Sequence, residues 1–186
     1  LGHRAFNGNK QFPERKGITN MFEKHDVEFG RNVNAYTAQD ETVYNISDVP
    51  TTNPGLLDTC LLVLHDWSHY LLLVDEEIDG ERGVISEEWR TRRDAGFRMR
   101  AVTMPVLLNG SKYAKRDVIG DLNIIKNFKY QTLRNYYHKW YRPDLQAIAV
   151  VGDFDADQME KKVKELFSKI PTPVNPAVRE SFEVLP

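Results

Sequence analysis

The chain has 186 residues, 41% of them hydrophobic, and a net charge of −2, which suits one ordinary globular domain or slightly more. That balance, with a pI near 6.2, gives no electrostatic basis for binding nucleic acid or an anionic membrane. A single cysteine, Cys60, excludes an internal disulfide framework and a cysteine-rich zinc module, and no apolar run is long enough to span a bilayer.

Residues 1–13 read as the tail of a helix and the loop after it, ending at Phe12-Pro13. Residues 14–27 are helix-compatible, with Ile18, Met21 and Phe22 on one face. His25 sits at the end of that helix, where a cation suits the dipole, and nothing ligand-like is spaced around it. Residues 28–49 read as short strands carrying Val27, Phe29, Val33, Tyr36, Val43, Ile46 and Val49. They are broken by Gly30, Asn32 and Ala38-Gln39-Asp40, and a hairpin is expected near Gln39-Asp40.

Asn53-Pro54 opens the next helix. Leu56, Leu57, Leu61, Leu62, Val63, Leu64, Trp67 and Leu71 make it apolar nearly all round, so it should be buried with Cys60 as a small hydrophobe. It contains His65-Asp66-Trp67-Ser68-His69, which imitates the zinc motif H-E-x-x-H. Asp66 is one methylene shorter than the Glu that motif needs, so packed histidines on a core helix are the simpler reading.

Residues 75–94 read as a helix crowded with carboxylates, with Ile78, Val84, Ile85 and Trp89 at roughly helical spacing. Glu81 and Glu88 lie two turns apart on one face, roughly 10 Å at the helical rise. They cannot both ligate one ion, but one could bind it while the other supports a ligand from behind. The plainer reading is a solvated face laced with pairs such as Glu88–Arg92.

Asp94 to Arg100 should prolong or end this helix near Gly96. Val102 to Leu108, with Pro105 inside, reads as a buried helix end or connection, and Asn109-Gly110-Ser111 as a turn. Phe128 to Trp140 reads as a helix with an aromatic stripe, in which His138 is structural. Leu145 to Val151 reads as a buried strand. Asp155 is placed to cap a helix from about Ala156 to Ser168, with Met159, Val163, Leu166 and Phe167 inward. Pro171, Pro173 and Pro176 give residues 171–186 linker composition, leading toward a further domain.

Several of these segments together carry a resemblance. Glu81-Arg82-Gly83-Val84-Ile85-Ser86-Glu87-Glu88-Trp89-Arg90 resembles a signature of the insulinase/pitrilysin family of zinc peptidases, which includes the mitochondrial processing peptidases. That family holds zinc with H-x-x-E-H on one helix and a Glu on a later helix. The resemblance makes Glu88 a zinc ligand and Glu81 its supporting carboxylate. Arg4-Ala5-Phe6-Asn7-Gly8-Asn9-Lys10-Gln11-Phe12-Pro13 is similar to the segment after H-x-x-E-H. Asn34-Ala35-Tyr36-Thr37 with Asp40-Glu41-Thr42-Val43-Tyr44 is similar to the substrate-side strands. Trp140-Tyr141-Arg142-Pro143-Asp144, followed by Ala147 to Phe154, is similar to the closing helix and strand. The four segments fall in family order along essentially the whole chain, with wording nearest the bacterial, periplasmic-type members.

The resemblance implies an α+β fold: a two-layer domain with a largely antiparallel sheet and helices packed on one face, over residues 1–170. The family's opening strands precede this chain, so the sheet would be incomplete without them. Asn34 and Ala35 would lie on the edge where a peptide substrate adds as a strand. His3 aligns with the second His of H-x-x-E-H, so it becomes a zinc ligand with Glu88. The general-base position then falls on Gly2, which cannot take a proton, and the first His would precede Leu1. The expectation is a fragment of a zinc-dependent endopeptidase, inactive as an isolated chain and with little or no Zn2+ of its own. The alternative is a non-catalytic partner subunit or peptide-binding domain of the same family. The implied partners are peptide substrates and a second homologous domain or subunit, and the implied compartment is the bacterial periplasm or cell envelope.

Overall fold

A computed structural model describes residues 1–182 of the chain. It contains eight α-helices and one two-stranded antiparallel sheet among the described residues. In order these are α1 (Gly2–Ala5), α2 (Gly17–Glu23), β1 (Val33–Thr37), β2 (Thr42–Ile46), α3 (Pro54–His69), α4 (Asp75–Thr91), α5 (Ala95–Leu107), α6 (Leu122–Asn127), α7 (Tyr130–Trp140) and α8 (Ala156–Phe167). The fold is α+β, as expected from the resemblance. No helix among the described residues is long and apolar enough to cross a membrane.

Helix starts follow local chemistry. Asn53 accepts a hydrogen bond from the Leu56 N–H at 3.2 Å, with Pro54 at the first helical position. Asp155 caps α8 through the Gln158 N–H at 2.9 Å. Asp94 caps α5 through the Phe97 N–H at 2.7 Å, and Asp121 caps α6 through Asn123 and Ile124. The carboxylates Asp75, Glu76 and Glu77 occupy the first turn of α4, where the helix dipole favours them.

The hairpin falls where the turn signals put it, with Val33 opposite Ile46 and Thr37 opposite Thr42. The core lies between α1, α2, β1, α3, the start of α4 and α7, and includes Phe22, Val33, Trp67, Ile78 and Tyr137. The Trp67 ring meets Phe6 edge-on at 5.4 Å. The Tyr137 hydroxyl donates to the Trp67 carbonyl at 2.9 Å and accepts from the Leu71 N–H at 3.3 Å, which stitches α7 to the end of α3. Cys60 is buried, as the apolar pattern implies.

Three expectations are corrected. Residues 146–151 do not form a buried strand: they pair with no other strand among the described residues, and Val151 is 96% exposed. Hydrophobicity qualifies a segment for a sheet, but only a neighbouring strand supplies its hydrogen bonds and cover. Asp94 to Arg100 does not prolong α4. Asp94 instead starts α5, and the stretch expected to be buried around Val102 is the exposed body of that helix. Val84 leaves the apolar stripe of α4 and is exposed, while Ile78 on the other side is buried.

Ala177 is half-buried and residues 178–180 are exposed, yet the segment is tied down. Arg142 donates to the Ala177 carbonyl at 2.6 Å, and Lys112 pairs with Glu180 at 2.7 Å. The last four residues of the expected 171–186 linker lie outside the described residues.

Candidate metal centre

The site is built where α1 crosses α4. His3 is on α1, and its ring lies between two carboxylates of α4. Nδ1 is 3.2 Å from Glu81 Oε2, and Nε2 is 3.5 Å from Glu88 Oε2. The two glutamates are two helical turns apart, too far for one ion but spanned by an imidazole with a nitrogen at each end. The Glu81 contact is an ion pair rather than an aligned hydrogen bond, and Glu81 Oε2 is a buried oxygen with no aligned donor.

The two charges shape each other. The Glu81 carboxylate raises the His3 pKa above the ordinary imidazole value, against the opposing effect of partial burial. His3 in turn lowers Glu81 below the ordinary carboxylate value. Glu88 also pairs with Arg92 at 2.6 Å.

Arg4, next to His3, is the residue of this site that sequence reasoning missed. Its side chain is buried, with Nη1 donating to Glu77 at 2.9 Å and standing 3.9 Å from Glu81 Oε1. Nη2 donates to the Asn7 carbonyl at 2.7 Å, so the guanidinium that reaches α4 through Glu77 also holds the turn after α1. An Arg beside an aligned His carries no signal in sequence, because its partner Glu77 is 73 residues away.

Arg82 holds α4 from the other side. It donates to the Ile125 carbonyl at 2.6 Å and the Phe128 carbonyl at 2.7 Å, and its guanidinium lies over the Phe128 ring at 4.0 Å.

The loop after α1 is pinned by the fully buried Asp66, whose Oδ2 accepts the Gln11 N–H at 2.6 Å. Burial raises the pKa of Asp66.

Gly2 opens α1 beside β1. A Cβ built on Gly2 would stand 3.8 Å from the Ala35 Cβ, an ordinary van der Waals contact. The strand bearing Asn34 and Ala35 therefore runs past the residues before His3. Asn34 Oδ1 accepts the Ala35 N–H at 2.8 Å.

The decoy of α3 does not converge. His65 faces Asp66 at 3.2 Å and stacks on Tyr70, whereas His69 bonds to the Tyr141 carbonyl at 3.1 Å. No group of three or more His, Cys, Asp or Glu side chains is placed to hold a metal among the described residues.

The chain belongs to the insulinase family of peptidases, M16. The family model for "Insulinase (Peptidase family M16)" matches residues 1–106, and that for "Peptidase M16 inactive domain" matches residues 127–185. The chain is 36% identical over 181 residues to the probable zinc protease PqqL of Haemophilus influenzae. That match covers 97% of this chain and 19% of the relative. It is 38% identical over 169 residues to the probable zinc protease PqqL of Escherichia coli, covering 91% of this chain and 18% of the relative. The chain thus spans about a fifth of the length of these relatives.

Among solved structures, the first half of the periplasmic protease PqqL from Escherichia coli superposes with a TM-score of 0.88 at 36% identity. It covers 96% of this chain and 38% of that one. The ferredoxin protease FusC, solved as a mutant with Arabidopsis ferredoxin, superposes with a TM-score of 0.87 at 26% identity. Here the coverage is 98% of this chain and 20% of that one.

Proposed function

We propose that this chain is part of a zinc-dependent endopeptidase and supplies two of its three metal ligands, His3 and Glu88. One observation carries the reading: Nε2 of His3 and Oε2 of Glu88 stand 3.5 Å apart. Nitrogen and oxygen ligands at ~2.1 Å from a tetrahedral zinc are separated by ~3.4 Å. The pair therefore has the spacing of one edge of such a site. Glu81 sits at the opposite ring nitrogen, where a carboxylate fixes the tautomer of a metal-bound histidine. Its orphaned oxygen, 3.2 Å from Nδ1, is the acceptor available to an Nδ1–H donor in that role.

When bound, zinc polarises the scissile carbonyl and activates water for attack. This chain's residues orient and hold. Arg4 locks α1 to α4, Arg82 holds α4 to the Ile125 and Phe128 carbonyls, Glu81 keeps the His3 tautomer, and β1 offers the edge around Asn34 and Ala35 to an extended peptide. The general base and the remaining His come from outside this set, since Gly2 occupies the base position. The isolated chain is accordingly inactive and holds zinc weakly or not at all.

Residues 1–170 form part of a peptidase unit, and 171–186 lead toward a second homologous domain. The naming of relatives as zinc proteases and, for one, as periplasmic supports this reading and a periplasmic location.

Gly2 favours a second reading, a non-catalytic partner that holds peptides on the same strand edge. The two readings divide on zinc content in the full-length protein, with and without Glu88→Gln. About one zinc per chain, lost in the variant, supports the peptidase. No zinc in either form overturns it in favour of the partner subunit.

A further inference from the structure

Immediately beyond Glu88 the surface changes character. From Trp89 to Arg100 the chain carries five arginines, Arg90, Arg92, Arg93, Arg98 and Arg100, against one carboxylate, Asp94. That is a fifth of the 25 lysines and arginines of a chain whose net charge is −2. Arg90 pairs with Glu87 and Arg92 with Glu88. Arg93, Arg98 and Arg100 have no carboxylate in ion-pair range among the described residues, and all three are exposed.

The helix dipole accounts for cations in the last turn of α4. It does not account for Arg98 and Arg100, which follow the N-terminal end of α5, where positive charge gains nothing. Nor does packing, because α5 buries none of its residues. Met99, Val102 and Val106 share one side of α5 and are 68%, 72% and 74% exposed. Arg98 donates to the Arg93 carbonyl at 3.0 Å, but none of the three has a carboxylate partner among the described residues, and arginines of that kind beside exposed apolar side chains are the composition of a recognition surface. The Arg93 guanidinium already lies over the Trp89 ring, 3.5 Å from its centroid, so less of its freedom remains to be lost on binding.

We infer that the α4–α5 corner docks an acidic peptide segment interspersed with apolar residues, as an accessory contact of the peptide-binding site. Charge complementarity fixes the sign of the partner. A strand of acidic and aliphatic residues sets its carboxylates against Arg93, Arg98 and Arg100 and its aliphatic groups against Met99 and Val102. The corner begins about one helical turn, ~5 Å, beyond Glu88, which sets the docking surface next to the proposed metal centre. The inference rests on the peptidase reading for its purpose, but the binding itself needs no metal.

The test uses a fluorescein-labelled peptide of mixed glutamate and leucine, titrated with this chain and followed by anisotropy. Saturable binding is expected. It should weaken with added salt and fall at least about tenfold when Arg93→Gln, Arg98→Gln and Arg100→Gln are combined. The exposed, conservative triple variant should keep its circular dichroism. A Met99→Ser, Val102→Ser variant, which leaves the charges in place, should weaken binding to a lesser degree. Added EDTA should leave binding unchanged, because the contact needs no metal. Binding with no zinc in the full-length protein would then sink the peptidase reading alone. Equal affinity for a glutamine-for-glutamate peptide, equal affinity in the triple variant, preferential binding of single-stranded DNA or anionic vesicles, or self-association through this corner would each overturn the inference.

Discussion

Arg4 buries its guanidinium against the Glu77 carboxylate, Nη1 to Oε2 at 2.9 Å, and so joins the helix that carries His3 to the helix that carries Glu88. Arg4→Met removes the cation and leaves Glu77 and Glu81 facing each other without it. The expected loss is about 2–3 kcal/mol, toward the low end for a broken buried pair because Glu77 keeps some contact with water. Urea unfolding checks it. Adding Glu77→Gln to Arg4→Met should recover part of the loss, because the stranded charge is then gone.

Glu81→Gln keeps the size of the side chain and removes the charge behind His3. In full-length protein that retains zinc, the metal affinity should fall by roughly 10–100-fold while Glu88 is untouched. Competition against a chromogenic chelator measures it, and an unchanged affinity would show that Glu81 does not act on the metal through His3.

The zinc-free pair should also leave a mark on stability against pH. His3 is raised above its ordinary 6.5, so its share is fully present below 6.5 and is lost as pH rises through the raised value. Glu81 is lowered below its ordinary 4.5, so its share is present above 4.5 and is lost as pH falls through the lowered value. The pair therefore contributes fully between those two ordinary values. The pH profile of the urea midpoint should carry this contribution, and Glu81→Gln should remove it and bring the His3 titration, followed by NMR, back toward 6.5.

Cys60 tests the packing of α3. Burial pushes its thiol up to about 11. Against an ordinary value of 9.0, the thiolate fraction near neutral pH falls by about two orders of magnitude. Reaction with Ellman's reagent should be slow in the native protein and fast in urea. Rapid native labelling would mean that α3 opens locally.

Tyr137→Phe removes one hydroxyl that serves both the Trp67 carbonyl and the Leu71 N–H. Both partners are buried, so the cost should be about 1–3 kcal/mol in urea unfolding with little change in secondary structure.

Much of the chain was decided locally. Asn53-Pro54 and Asp155 announced their helices because a cap is made within three residues of its donor. The hairpin over Gln39-Asp40 followed from alternation and turn residues. The carboxylate helix and the order of the four family-like segments also stood in the sequence, and they put His3, Glu81 and Glu88 into a single hypothesis.

Only the tertiary structure decided what those residues touch. Glu81 and Glu88, read along their own helix, are two turns apart; the crossing of α1 places one imidazole between them. Arg4 finds Glu77 across 73 residues, a pairing no local pattern encodes. Residues 146–151 have the composition of a buried strand and stay unpaired, and α5 has apolar positions left uncovered, among the described residues. The reason is common to all four. Capping, turns and periodicity depend on neighbours in sequence, whereas burial, strand pairing and ion pairs depend on which distant segment arrives.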